Sequence, residues 1–167
     1  MSERKRTILL VGGCGSGKTW VMKNIIMQHG LNLKAKTKLI HFRTNKKICV
    51  LGNYDGSVFE GGDKLSMAVS LDFENFKKIS DRENFIVICE GDRFMNKNFI
   101  KTFRPFIIKI EDGGEIGRKV RGSNQTERHL SAIRTRVNNI KENKLVKNSN
   151  EALSLINQII NEKNRPN

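Results

Sequence analysis

Short apolar runs with little polar alternation recur along the chain at residues 7–11, 38–42, 47–51, 85–89, 106–110 and 144–146. Strands buried on both faces need such runs, because alternate side chains then point into two different packed layers. Between the runs lie stretches whose apolar residues return every three or four positions. Residues 20–27, 65–79, 96–102 and 150–161 read in this way, the third of them stopped by the approach to Pro105. Leu130, Ile133, Val137 and Ile140 set the same spacing after residue 125. Strand and helix patterns in alternation predict an α/β fold, with a mainly parallel central sheet between two helical layers. One departure is expected near the start, where runs 38–42 and 47–51 flank Arg43-Thr44-Asn45-Lys46 and read as a hairpin. No repeat, low-complexity linker or composition break divides the chain, so residues 1–167 are expected to form a single domain.

The junction between the first run and the first helical stretch carries the most specific signal. Gly12-Gly13-Cys14-Gly15-Ser16-Gly17-Lys18-Thr19 fits the P-loop pattern G-x-x-x-x-G-K-[ST] and stands in the order strand, loop, helix that this motif requires. A phosphate chain is a dense anion, and only a backbone free of obstructing side chains can wrap it. Gly12, Gly13, Gly15 and Gly17 supply that freedom, Cys14 and Ser16 add their amides, and the following helix presents its positive end to the same phosphates. Lys18 is expected to reach the β- and γ-phosphates, and the Thr19 hydroxyl to ligate Mg²⁺.

Carboxylates gather at two other places. The run 47–51 ends at Gly52-Asn53-Tyr54-Asp55-Gly56, and Asp63 follows two further glycines. Ligands of open α/β sheets sit beyond strand ends, which makes Asp55 the candidate base for an attacking hydroxyl. Asp63 is a second candidate for substrate-side chemistry, but it precedes the helical pattern of residues 65–79 and reads better as its N-cap. The run 85–89 ends in Glu90, Gly91, Asp92 and Arg93 and looks like a Walker B segment, with Glu90 as the expected metal or water ligand and Asp92 as its substitute. Later, Arg118, Arg121 and Arg128 surround a loop-to-helix junction. They are candidates for a lid that closes on triphosphate and steadies the transferring phosphoryl group, while Arg134 and Arg136 are expected on a solvated helix face.

Charge changes the picture more than composition does. The 167 residues carry a formal net charge of +14, unevenly spread. Residues 1–50 hold eleven Lys and Arg against one acid, residues 115–147 hold nine against three, and the middle is slightly acidic. Two basic blocks around an acidic centre suggest a polyanion held near a site that keeps its carboxylates, and nucleic acid is the leading candidate. Cys14, Cys49 and Cys89 are odd in number and far apart, which suits neither a disulfide framework nor a zinc site. No apolar run reaches membrane-spanning length, and the first one leads directly into the glycine-rich loop, so a cytoplasmic protein is expected.

Taken with Leu51-Gly52-Asn53-Tyr54-Asp55, Gly61-Gly62-Asp63-Lys64-Leu65-Ser66, Cys89-Glu90-Gly91-Asp92-Arg93-Phe94 and residues 125–140, the motif gives the chain a family likeness. It resembles the phage-encoded P-loop kinases that act on 5-hydroxymethyl-deoxyuridine in DNA, a branch of the nucleotide-kinase-like group. The resemblance implies a three-layer P-loop NTPase fold with an arginine-rich lid and transfer of the γ-phosphoryl group of ATP, with Mg²⁺, to the hydroxymethyl oxygen of the modified base. The cytoplasm would then be that of the phage's host. The guanine-reading N-K-x-D is absent, since Asn45-Lys46-Lys47-Ile48 fails at its last position. Two alternatives stay open: a kinase of free nucleosides or nucleoside monophosphates, and a DNA-binding P-loop ATPase that acts as a switch.

Overall fold

All five side chains of Thr7–Val11 (β1) are buried, as its unbroken apolar pattern requires. In the computed structural model, which describes residues 6–56, 60–111 and 126–165, β1 is an inner strand of a seven-stranded sheet. The chain continues through helix Lys18–Gln28 (α1), strands Leu33–Lys36 (β2), His41–Thr44 (β3) and Ile48–Leu51 (β4), and helix Phe73–Glu83 (α2). Ile86–Glu90 (β5), Lys97–Phe103 (α3), Phe106–Ile110 (β6), Glu127–Asn139 (α4), Lys144–Val146 (β7) and Ser149–Lys163 (α5) complete it. The strands lie in the order β2-β3-β4-β5-β1-β6-β7. Every pairing from β4 to β7 is parallel, whereas β2 and β3 run antiparallel to their neighbours.

Side-chain alternation along the inner strands sorts the core into two layers. Ile8 and Leu10 of β1 join Val21, Met22 and Ile25 of α1 and Ala152, Ile156 and Ile160 of α5. Leu9 and Val11 face the other way, into a layer rich in phenylalanine. There Phe73 meets Phe99 edge-on at 5.2 Å between ring centroids, and Phe99 stacks on Phe103 at 4.5 Å. Those edge-to-face and offset contacts add to the large area each ring buries. Helices on both faces of a mostly parallel sheet make the α/β sandwich that the pattern predicts. No described helix is long and apolar enough to cross a membrane.

Three local expectations are corrected. The predicted hairpin forms between β3 and β4, with its first strand beginning at His41, and β2 adds a strand whose mostly exposed Leu-Lys-Ala-Lys carries no apolar run. The helix expected over 65–79 is divided, with 3₁₀ turns at Gly62–Lys64 and Val69–Asp72 preceding α2. Asp63 therefore caps no long helix; it lies in the first of those turns and accepts the Asp92 amide at 3.2 Å.

Asp72 explains where α2 begins. Its buried carboxylate accepts hydrogen bonds from the Thr37 hydroxyl, the Leu39 amide at 2.8 Å and the Asn75 side chain at 3.0 Å, tying the turn before β3 to the head of the helix. Burial opposes its ionisation, but these donors outweigh burial and hold the carboxyl below the usual aspartate range. A carboxylate depressed in the folded state stabilises the fold above its unfolded pKa, and the contribution is lost as pH falls through the folded value. Asp72→Ala, which leaves the Leu39 amide unpaired, should cost about 2–3 kcal/mol and lower Tm by roughly 4–10 °C at neutral pH. The gap from the unaltered protein should narrow below pH ~4; thermal unfolding of both proteins across pH 3–7 checks this, and a gap independent of pH would refute it.

Candidate functional site

The glycine-rich loop leaves β1 at its carboxyl end and is fixed by close approach. Gly17 stands at φ 96°, and a Cβ there would lie 2.7 Å from the Ser149 Cβ at the start of α5. A Cβ on Gly12 would lie 2.8 Å from the Ser16 hydroxyl and 3.3 Å from the Ile110 Cβ, so loop residues pack where only glycine fits. The Ser16 amide turns back to the Gly13 carbonyl at 3.2 Å, and the Lys18 ammonium folds over the loop to the Gly12 and Gly13 carbonyls, 2.9 Å each. α1 begins with no side-chain cap and no acid in its first turn. Its leading amides thus have no carboxylate of their own helix to answer them, the condition in which a helix end accepts an anion. The Ser16 hydroxyl is buried and has no hydrogen-bond partner among the described residues.

Glu90 closes the site from the neighbouring strand. β5 pairs directly with β1, with Glu90 opposite Leu10, so the strand-end carboxylate comes up beside the loop. Three donors converge on its Oε1: the Thr19 hydroxyl at 3.5 Å, the Tyr54 hydroxyl at 3.4 Å and the Gly62 amide at 3.4 Å. The residue is only 3% exposed. Burial raises its pKa, Lys18 opposes the rise, Asp63 adds to it, and the Gly62 and Tyr54 donors pull it back. Tyr54 is itself pushed well above the usual tyrosine range, first by burial and then by Glu90, so it stays a neutral donor.

Two glycines make this convergence possible. A Cβ on Gly61, which sits at φ 103°, would overlap Glu90 Oε1, and a Cβ on Gly62 would overlap the Glu90 main-chain oxygen. Asn53 and Gly61 pair through their backbones, each amide donating to the other's carbonyl, at 3.0 and 2.7 Å. Glu60 is tied to α1 by an ion pair with Lys23 at 2.8 Å, and its other carboxylate oxygen takes the Gly56 amide at 2.8 Å. Asp55 is exposed.

The structure thus brings together Lys18, Thr19 and Glu90 of the expected residues. Asp92 is placed differently: its carboxylate lies 3.0 Å from Arg136 of α4 and 4.0 Å from Arg93, and no hydrogen bond among the described residues joins it to Thr19 or Glu90. Arg134 and Arg136 are exposed on α4 as expected, and Arg136 is also the ion-pair partner of Asp92. Arg93 donates to the Leu65 carbonyl at 3.2 Å. Arg128 is exposed in the first turn of α4, while Arg118 and Arg121 lie outside the described residues. Cys49 and Cys89 are buried, and burial pushes both thiols well above the usual range. Among the described residues no group of three or more His, Cys, Asp or Glu side chains could hold a metal. A hard cation would instead have the Thr19 hydroxyl and the Glu90 carboxylate, completed by water and ligand oxygens, a donor set that suits Mg²⁺.

No protein-family model matches the chain, and no curated protein does. Sequence reading missed Tyr54, Gly61 and Gly62 as builders of the Glu90 environment. The signal available was a glycine pair in a chain where Glu90 ends an apolar strand, but which glycine meets which carboxylate depends on the sheet order.

Gly62→Ala forces a Cβ against backbone that cannot step aside and should destabilise the protein by about 2–3 kcal/mol. Gly56→Ala meets nothing within 4 Å and bears only the strain of φ 85°, about 1 kcal/mol. Urea unfolding of the two variants tests the contrast; equal losses would mean that the Glu90 environment is not closely packed.

Proposed function

We propose that the protein is an ATP-dependent kinase that transfers the γ-phosphoryl group to the hydroxymethyl oxygen of 5-hydroxymethyluracil in DNA. The observation that carries the phosphotransferase reading is the Thr19 hydroxyl 3.5 Å from a buried strand-end Glu90, with Lys18 folded over the adjoining loop. Support for DNA as acceptor comes from the family likeness and from the net charge of +14 in two basic blocks.

In this mechanism the loop amides and Lys18 hold the β- and γ-phosphates, with Lys18 exchanging its carbonyl partners for phosphate oxygens. A bound Mg²⁺ would supply positive charge that offsets the charge of the phosphates. Thr19 and Glu90 are the residues that would hold it. The acceptor oxygen attacks the γ-phosphorus, the bond from phosphorus to the bridging β-oxygen breaks, and ADP leaves. The hydroxyl proton passes to Asp55. Arg118, Arg121 and Arg128 steady the transferring group from the lid side. A base inside a duplex must first leave the stack, and the basic surface holds the strand while it does.

Labelled γ-phosphate from ATP should appear on the base of hydroxymethyluracil DNA, and not on unmodified DNA or on free nucleosides and monophosphates. Lys18→Ala and Glu90→Gln should each lower the rate by at least about 100-fold, in the range of lost transition-state charge stabilisation. Label on free nucleosides alone would replace this reading with a small-substrate kinase, and release of inorganic phosphate in every tube would replace it with an ATPase. Asp55→Asn should slow transfer while ATP binding persists; an undiminished rate would remove Asp55 from the mechanism.

A further inference from the structure

Among the described residues one large aromatic side chain stays out of the core. The described phenylalanines and Tyr54 are buried or half-buried, whereas Trp20, the chain's sole tryptophan, is 44% exposed. α1 does not need it for packing, since its buried residues are Val21, Met22 and Ile25. The ring contacts of the phenylalanine layer do not include it.

Position gives the exposure meaning. Trp20 directly follows Thr19 in the first turn of α1, the helix that leaves the proposed phosphate-binding loop. Lys23 lies three residues on and is its neighbour on the helix surface. Lys23 in turn holds Glu60, whose other carboxylate oxygen takes the amide of Gly56, the residue after Asp55. The glycine-rich loop addresses phosphates through backbone amides and has no group that reads a base. An indole beside it offers a rigid apolar face to any planar heteroaromatic ring, and stacking of this kind accepts every base.

We propose that Trp20 is a stacking platform for a nucleobase beside the phosphate-binding loop. The proposal rests on the reading of residues 12–19 as a phosphate-binding loop. The adenine of the phosphoryl donor and the acceptor base share the required chemistry, and the test separates them.

Calorimetric titrations of the intact protein with Mg²⁺ would use three probes: tripolyphosphate, ATP and a hydroxymethyluracil oligonucleotide. Trp20→Ala should weaken ATP or the oligonucleotide by about tenfold, the loss of one base-to-aromatic stack, and leave tripolyphosphate unchanged. Trp20→Phe should restore most of the lost affinity. The probe that weakens names the source of the base, and quenching of the single tryptophan's fluorescence by that probe, but not by tripolyphosphate, gives a second readout. An equal loss for all three probes, or no loss for any, overturns the proposal. Lys18→Ala separates the two levels: tripolyphosphate binding that is absent or independent of Lys18 removes the phosphate-loop reading and the platform with it. Lys18-dependent binding with affinities for ATP and oligonucleotide that ignore Trp20 removes the platform alone. The far-ultraviolet circular dichroism spectrum and Tm of Trp20→Ala should match those of the unaltered protein, since the ring is not part of the core.

Discussion

A carboxylate buried at the end of an inner strand is costly to keep, and the arrangement around Glu90 follows from that cost. Removing an ion from water is unfavourable by several kcal/mol unless donors and opposite charge replace the lost solvent. Here the replacements come from separate parts of the chain: Thr19 from the head of α1, Tyr54 from beyond β4, Gly62 from a 3₁₀ turn, and the field of Lys18 from the loop after β1. None of these groups is near Glu90 in sequence. They meet because β4, β5 and β1 are consecutive strands of a parallel sheet, so that their carboxyl ends open on the same edge.

The two helical layers serve this edge differently. On the phenylalanine side, large rings fill the space under α2 and α3 and fix the sheet from below. On the other side, α1 and α5 pack through smaller aliphatic residues, and the contact of Gly17 with Ser149 brings the head of α5 against the glycine-rich loop. A loop pressed between two helix starts and a strand end has little freedom to collapse. Its amides are held in place by packing, which is the condition for preorganised electrostatic recognition.

Legibility followed sequence distance. β1, β5, β6 and α1 were readable because unbroken apolar runs such as Ile86–Glu90 and the eight residues from Gly12 to Thr19 carry their signal locally. β2 was not, since Leu33-Lys34-Ala35-Lys36 is a strand only through pairing with β3. The division of the 65–79 helix depended on Asp72 finding Thr37 and Leu39, partners more than thirty residues away. Lys18, Thr19 and Glu90 were legible as chemistry, whereas Tyr54 looked like one more residue of a strand-end loop until the sheet order set it against Glu90.

The same order divides the work between two acids that look equivalent on paper. Glu90 and Asp92 are two residues apart, and either would serve as a strand-end metal ligand by its type alone. Gly91, at φ 103°, turns the chain between them, and the Asp63 carboxylate takes the Asp92 amide so that the following residues wind into a 3₁₀ turn. The Asp92 carboxylate then meets Arg136, and its charge is answered by α4. Glu90 is left with neutral hydroxyl and amide donors and the nearby Lys18. An acid already paired to arginine would have to break that pair before serving a cation, and Asp92 instead holds α4 to the 3₁₀ turn that follows β5.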